Sequence, residues 1–292
     1  MGLLFFIFVT LSYGVAVSAE VGNSFIVSAM ANDPNTRVCS DLWWPFREIA
    51  ENLTDDIGSP RTTLIGPDEQ TIRSSSAVLA GTISFVFNIG HSAGPDEFIA
   101  TCDSVRIPAT ALPTSDFLFA HGCDTVCETG PEMFASRAKA TIGFCELASP
   151  ECYSCLQSSP SFTQAIADAI AEGLTIGDAF AYAGSLHPEC VDSMACARFV
   201  GDPTIKIYTP PAECGDRANT YASHEEDWPS SSVWCEHGIP NTLPSFPKEG
   251  ETSTWTCSEI ENDTIVQCSA SKEKRKSVMF YLPVILSAGK NK

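Results

Sequence analysis

A histidine and a cysteine in this sequence are placed as a catalytic pair would be. His91 and Cys123 each follow an apolar run, and each is preceded by a glycine, Gly90 and Gly122. A cysteine thiolate is a strong nucleophile, but a thiol with an ordinary pKa of about 8.5 is mostly protonated at neutral pH. A neighbouring imidazole can take the thiol proton and later protonate the leaving group. The two residue types together therefore indicate acyl-transfer chemistry, which is hydrolysis when water is the final acceptor.

The two apolar runs that lead to these residues predict buried β-strands at 83–89 and 117–120. In parallel α/β sheets, ligands and reacting groups lie at the carboxyl ends of the strands. If the two strands are neighbours, His91 and Cys123 face each other across one crevice. Backbone N–H groups there can hold an oxyanion, and the glycines let a substrate carbonyl approach the main chain.

Two alternatives within the same segment stay open. His121 also precedes a glycine after an apolar strand, and Cys145 follows the next apolar run, so this pair competes with the first. Alternatively, Cys123 forms a disulfide with Cys127 and loses its nucleophilic thiol. We favour the pair of His91 and Cys123, since the rival pair leaves His91 without a role.

Around these two strands the sequence predicts alternating strands and helices. Strands are predicted at 25–30, 62–65, 83–89, 117–120, 138–144 and 204–208, and helices from a cap at Asp41 to Leu53, from Pro67 to Leu79, at 161–172 and at 175–186. Strands that are separated by helices favour an α/β sandwich with a mostly parallel sheet.

The overall charge limits the partners of this protein. The 292 residues carry 36 acidic and 17 basic side chains, a formal net charge of −19 at pH 7. Nucleic acid and anionic membrane surfaces repel such a chain, so we expect neither as a partner. The apolar content of 44% is that of a folded protein.

The N-terminus and the cysteines indicate a secreted protein. Residues 1–19 contain an apolar stretch that ends in small residues, as in a signal peptide, and an N-terminal anchor is the alternative. Thirteen cysteines in that context indicate a disulfide framework, and the odd number leaves at least one outside it. Cys152 and Cys155 have the spacing of redox and zinc sites, with Cys190 and Cys196 as a second pair. Disulfides are their expected use in a secreted protein.

The composition changes after residue 211. Residues 213–271 contain four cysteines and little helical pattern, with short strands predicted at 254–257 and 265–268. A segment this small buries too little apolar surface to be stable without cross-links, so we expect a disulfide-rich β module. Residues 272–292 form a basic and then apolar tail that is too short to span a bilayer.

Four short motifs occur in a fixed order along the chain. They are Ile89-Gly90-His91-Ser92, Ala120-His121-Gly122-Cys123, Ala138-Lys139-Ala140-Thr141-Ile142-Gly143, and Gly201-Asp202-Pro203 before an apolar run. Together they resemble the motifs of the gingipain family of cysteine peptidases and the related CHAT domains, which share a caspase-like fold. The resemblance covers residues 24–209.

The resemblance implies a three-layer caspase-like sandwich with a mostly parallel six-stranded sheet. It implies that Cys123 is the nucleophile and that His91 is the catalytic histidine. The backbone N–H groups of Ser92 and Cys123 would hold the oxyanion, supported by Gly90 and Gly122. Ser92 stands where the family usually has glycine.

The expected function is that of a secreted cysteine endopeptidase, which hydrolyses peptides or proteins through an acyl-enzyme. The alternative is an inactive interaction or adhesion module on the same fold, with Cys123 in a disulfide. No cofactor and no catalytic metal is expected, and the need for a structural calcium ion stays open.

The C-terminal module resembles a cysteine-rich repeat of secreted bacterial proteins, which implies an extracellular or cell-surface location. That second resemblance rests on Cys214-Gly215, Cys235, Trp255-Thr256-Cys257 and Cys268-Ser269-Ala270.

Overall fold

The computed structural model describes residues 21–32, 39–40, 43–79, 82–92, 94–102, 105–128, 130–145, 152–191, 196–259 and 265–274. The chain divides into two compact units, and the boundary between them lies between Pro210 and Pro211. The predicted signal segment, 1–19, and nearly all of the predicted tail lie outside the described residues.

A six-stranded sheet forms the middle of the first unit. Its strands are β1 (Asn23–Ser28), β2 (Arg61–Ile65), β3 (Ile83–Ile89), β4 (Ser115–His121), β5 (Ala138–Phe144) and β6 (Ala197–Gly201). They lie side by side in the order β6-β5-β4-β3-β1-β2. Every neighbouring pair is parallel except β5 with β6. The predicted α/β class and the mostly parallel six-stranded sheet are therefore confirmed.

Both faces of this sheet are covered. The helices are α1 (Trp44–Asp56), α2 (Glu69–Ala77), α3 (Tyr153–Ala171), α4 (Ile176–Leu186) and α5 (Pro188–Val191). Residues of α1, α3, α4 and α5 share an apolar core with one face, and α2 packs on the other. A small three-stranded sheet covers the same face as α2. Its central strand is Glu97–Ile99, and its outer strands are His91–Ser92 and Arg106–Pro108.

Alternation along the strands explains why both faces are apolar. In β4, Phe117 and Phe119 belong to the core on the α1 face, whereas Leu118 and Ala120 belong to the core on the α2 face. Successive side chains of a strand point to opposite faces, so a strand that is buried on both sides reads as a continuous apolar run.

Short elements complete the unit: paired strands at Ala31–Asn32 and Cys39–Ser40, and 3₁₀ turns at Ala109–Ala111 and Phe134–Ser136.

The sixth strand lies elsewhere than the sequence predicted. The prediction placed it at 204–208, after the Gly-Asp-Pro motif, but the strand is Ala197–Gly201 and ends at that motif. The chain turns there, since Gly201 has a φ of +110° and the Asp202 carboxylate accepts a hydrogen bond of 2.9 Å from the N–H of Thr204. The carbonyl groups of Pro203 and Ile205 then accept hydrogen bonds from the first turn of α4 rather than from a strand.

Two helix starts also differ from the prediction. The N-cap residue of α1 is Trp43 rather than Asp41, and Pro45 fits the first turn, where a backbone N–H is not needed. Helix α3 begins eight residues before the predicted start at 161 and continues through Pro160. Disulfides from Cys152 and Cys155 hold its first turns, which offsets the hydrogen bond that the proline removes.

Five disulfides connect described cysteines, namely Cys127–Cys145, Cys152–Cys196, Cys155–Cys190, Cys214–Cys268 and Cys235–Cys257. Cys102 is also disulfide-bonded. The four cysteines that could have formed a zinc site are thus two disulfides, as expected. Within the described residues, no group of three or more histidine, cysteine or acidic side chains is arranged to hold a metal ion.

The second unit is a small disulfide-linked β structure. Its main hairpin pairs β7 (Thr252–Ser258) with β8 (Ile265–Lys272), which include the two predicted strand segments. Short strands at Thr220–Tyr221 and Ile239–Pro240 extend this sheet, and Glu213–Cys214 pairs with Cys235–His237. Where residues of the chain are described, none of the helices is both long and apolar enough to cross a bilayer.

Candidate active site

The two strands that precede the candidate residues are neighbours. β3 and β4 are parallel, and their register sets Ile89 opposite His121 at their carboxyl ends. The N–H of Gly90 donates a hydrogen bond of 2.9 Å to the carbonyl of His121. The site lies near the topological switch point, because the chain places β2 on one side of β1 and β3 on the other. Ligands of open α/β sheets bind at such points.

Glycines bring the two strand ends into direct contact. A Cβ on Gly122 would lie 2.9 Å from the carbonyl oxygen of Gly90 and 3.1 Å from the backbone nitrogen of Ser92. A Cβ on Gly90 would collide with the Cβ of Ala29, just beyond β1. A side chain on Gly122 would push the end of β3 away from the Cys123 loop, and one on Gly90 would push it away from the end of β1. Because both residues are glycine, the segments that carry His91 and Cys123 touch each other.

The loop that carries Cys123 is tied to both strands beside it. The hydroxyl of Thr125 donates to the carbonyl of Ala120 at 2.9 Å and accepts from the N–H of Phe144 at 3.0 Å. Two residues further on, the Cys127–Cys145 disulfide connects the loop to the end of β5. Asp124 has a φ of +61°, a left-handed conformation that aspartate adopts more readily than most residues. These ties fix the backbone on both sides of the candidate nucleophile.

Cys123 itself is half-buried and belongs to none of the five disulfides given above. The predicted alternative of a bridge between Cys123 and Cys127 is therefore wrong, because Cys127 is bonded to Cys145. The same bond excludes Cys145 as a nucleophile.

His121, the histidine of the rival pair, is a buried residue of the aromatic core. Its ring centroid lies 3.8 Å from that of Phe46, 5.2 Å from that of Phe144 and 5.5 Å from that of Trp43. Burial lowers the pKa of His121 from 6.5 to about 3. The imidazole is therefore neutral at physiological pH and lies among apolar rings, so it does not serve as the catalytic base.

His91, by contrast, is exposed on the short strand that follows β3. Its ring stands nearly perpendicular to the indole of Trp43, with ring centroids 5.1 Å apart and an interplanar angle of 87°. No local pattern in the sequence singles out Trp43, other than its position two residues before Pro45 in the first turn of α1. Thr125 lies two residues after Cys123 in the sequence, but its hydrogen bonds to two strands are visible in the tertiary structure alone.

The side chain of Ser92 is turned into its own loop. Its hydroxyl is bonded to the carbonyl of Gly94 and lies 3.1 Å from the carbonyl oxygen of Glu97. The backbone nitrogen of Ser92 faces Gly122 instead. With serine in place of glycine, the backbone nitrogen at this position thus still lies beside the Cys123 loop.

No protein-family model and no curated protein sequence matches the chain. Among solved structures, the chain is similar to the Arg-specific cysteine proteinase gingipain R, with 13% sequence identity and a TM-score of 0.45. The similarity covers 86% of this chain and 67% of that chain. A likeness at this identity and score implies no activity for this chain.

Proposed function

We propose that this protein is a secreted cysteine endopeptidase in which Cys123 is the nucleophile and His91 is the general acid and base. The observation that carries the proposal is the contact of Gly122 with Gly90 and Ser92. It joins the residues next to both reactive side chains at the carboxyl ends of two parallel strands. The peptidase domain of the proposal is 24–209, followed by the cysteine-rich module at 213–271.

In the proposed reaction, the Cys123 thiolate attacks the carbonyl carbon of a peptide bond and forms a C–S bond. The electron pair of the carbonyl moves to its oxygen, which becomes an oxyanion. When the oxyanion collapses, the C–N bond breaks and the His91 imidazolium donates its proton to the leaving nitrogen. The products of this half-reaction are a free amine and a thioester between Cys123 and the acyl group.

Water then hydrolyses the thioester. The neutral His91 imidazole accepts a proton from the water molecule, the hydroxide adds to the carbonyl carbon, and the C–S bond breaks. The released carboxylic acid and the regenerated thiolate–imidazolium pair complete the cycle. Each oxyanion in this sequence would accept hydrogen bonds from the N–H groups of Ser92 and Cys123, and one such donor contributes about 3 kcal/mol.

Location and partners follow from the disulfides and the charge. Disulfides are typical of proteins in oxidising compartments outside the cytosol, and this chain has five between described cysteines. We therefore place the peptidase outside the cell or at its surface, with peptides or proteins as substrates. The net charge of −19 argues against nucleic acid as a partner. The alternative is an inactive module with Cys123 in a disulfide, and none of the five disulfides between described cysteines includes Cys123.

The test is covalent labelling of the secreted protein by a thiol-reactive peptidyl acyloxymethyl ketone without reductant, followed by peptide mapping. We expect the label on Cys123, no label in Cys123→Ser, and strongly reduced labelling in His91→Ala. The control is His224→Ala, which changes an exposed histidine of the second unit. Labelling of Cys123 that does not depend on His91, or no labelling of the folded wild type, would show that the pair is not a catalytic dyad.

A further inference from the structure

His91 needs a partner that fixes the direction of its imidazole. It lies at an exposed position, and within the described part of the chain no hydrogen bond or ion pair reaches its side chain. An imidazole that rotates freely pairs poorly with a thiolate, because proton transfer requires one ring nitrogen within hydrogen-bond reach of the sulfur.

We propose that Trp43 is the positioning residue of His91, a role that rests on the proposed peptidase function. The indole and imidazole rings meet edge to face, with centroids 5.1 Å apart and an interplanar angle of 87°. This separation lies in the range that aromatic pairs prefer, and the edge-to-face arrangement is one of the two favoured geometries. The contact restricts the rotation of the imidazole without engaging either of its nitrogens in a salt bridge.

Trp43 is itself held from two sides. It is the N-cap residue of α1, and its carbonyl accepts hydrogen bonds from the N–H groups of Phe46 and Arg47 at 3.0 and 3.2 Å. Its ring also contacts Phe46 from the helix and His121 from β4, with centroids 6.3 and 5.5 Å apart. The indole is therefore held in place between the start of α1 and the end of β4, and the ring of His91 packs against it.

The environment of the Trp43 indole nitrogen supports a functional role for this residue. Its Nε1 is buried and has no hydrogen-bond partner among the described residues. A buried donor without a partner is costly, and a tryptophan that only fills a core usually satisfies its N–H. An unsatisfied buried group of this kind calls for an explanation, and the position of the ring against His91 provides one.

The consequence for the chemistry is a change in the reactivity of Cys123. A correctly placed imidazolium stabilises the thiolate and lowers the thiol pKa, whereas a misplaced one lets the pKa rise toward its ordinary value. Each unit of increase lowers the thiolate fraction below the pKa about tenfold. His121 is the other titratable group in contact with Trp43. Its pKa of about 3 keeps it neutral between about pH 5 and pH 9, the range in which Cys123 would be titrated.

The experiment measures the rate at which iodoacetamide alkylates Cys123 in the full chain between about pH 5 and pH 9. The variants are Trp43→Ala, the conservative Trp43→Phe, and the matched control Trp44→Ala, which changes the neighbouring tryptophan, 54% exposed. We expect Trp43→Ala to lower the rate at pH 6 about tenfold or more and to move the profile to higher pH. Trp43→Phe should restore most of the rate, and Trp44→Ala should match the wild type.

The outcomes separate the inference from the function on which it rests. If wild-type Cys123 reacts like an ordinary thiol, or if His91→Ala leaves the profile unchanged, the proposed dyad is wrong. If the wild type and His91→Ala behave as proposed but Trp43→Ala keeps the wild-type profile, the role of Trp43 alone is overturned. If Trp43→Ala does not fold, the NMR resonances of the His91 ring protons decide. A ring-current shift that decreases in Trp43→Phe supports the proposal, and resonances at their ordinary positions in the wild type overturn it.

Discussion

Replacing Gly122 by alanine tests whether the contact between the strand ends holds the site together. The added Cβ would lie 2.9 Å from the oxygen of Gly90 and 3.1 and 3.2 Å from the N and Cβ atoms of Ser92. Ordinary contacts begin near 3.4 Å, so the shortest overlap is about half an ångström. Two of the three opposing atoms belong to the backbone and have no rotamer to change. The strain must therefore be relieved by moving the Gly90–Ser92 segment away from the Cys123 loop.

The size of the effect follows from that displacement. Forcing one methyl group into a packed site costs about 1–3 kcal/mol. A domain of this size loses roughly 2–4 °C of melting temperature for each kcal/mol. A shift of half an ångström also moves the Ser92 amide and His91 relative to Cys123. Since a misplacement of about 1 Å can cost a hundredfold in rate, we expect labelling of Cys123 by the peptidyl ketone to slow about tenfold.

The assay compares Gly122→Ala with Gly130→Ala by thermal unfolding and by the rate of labelling. The control is matched, because a Cβ on Gly130 would meet only the flexible side chain of Met133, at 3.3 and 3.7 Å. Neither glycine has a positive φ, so added backbone strain does not complicate the comparison. A Gly122→Ala variant with the melting temperature and labelling rate of the wild type would refute the close approach of the two strand ends.

Two further predictions concern the residues that support the site. Burial lowers the pKa of His121 from 6.5 to about 3, so the unfolded chain binds more protons in this interval and stability falls as the pH decreases from about 6.5 toward 3. The slope from this residue is at most about 1.4 kcal/mol per pH unit, and urea unfolding at several pH values should show a flatter acid dependence for His121→Phe. An equal acid dependence in both proteins would contradict the burial of His121. Thr125→Val removes the hydroxyl that links Ala120 to Phe144 and should lower the free energy of unfolding by about 1–3 kcal/mol, whereas Thr125→Ser should retain most of it. Similar unfolding curves for the valine and serine variants would argue against this role.

Much of the sheet was predictable from local pattern. The runs at Ile83–Ile89 and Ala138–Phe144 coincide with observed strands, because strands that are buried on both faces over most of their length are mostly apolar. The sixth strand was misplaced, since the run at 204–208 alternates like a strand, but the carbonyl of Ile205 accepts a hydrogen bond from the first turn of α4. The start of α3 was missed because Pro160 suggests a helix boundary, and the disulfides that hold the preceding turns join residues far apart in the chain.

The candidate site, like the sheet, was predictable from the sequence only in part. Residue types and spacing were enough to select His91 and Cys123, because thiol and imidazole chemistry and the ends of apolar strands are local properties of the sequence. The choice between this pair and His121 with Cys145 was not local. It depended on which cysteines form disulfides and on how deeply each histidine is buried, and both follow from contacts between distant segments. Trp43 reaches His91 for the same reason: only the packing of α1 against the sheet brings together two rings that are 48 positions apart in the sequence.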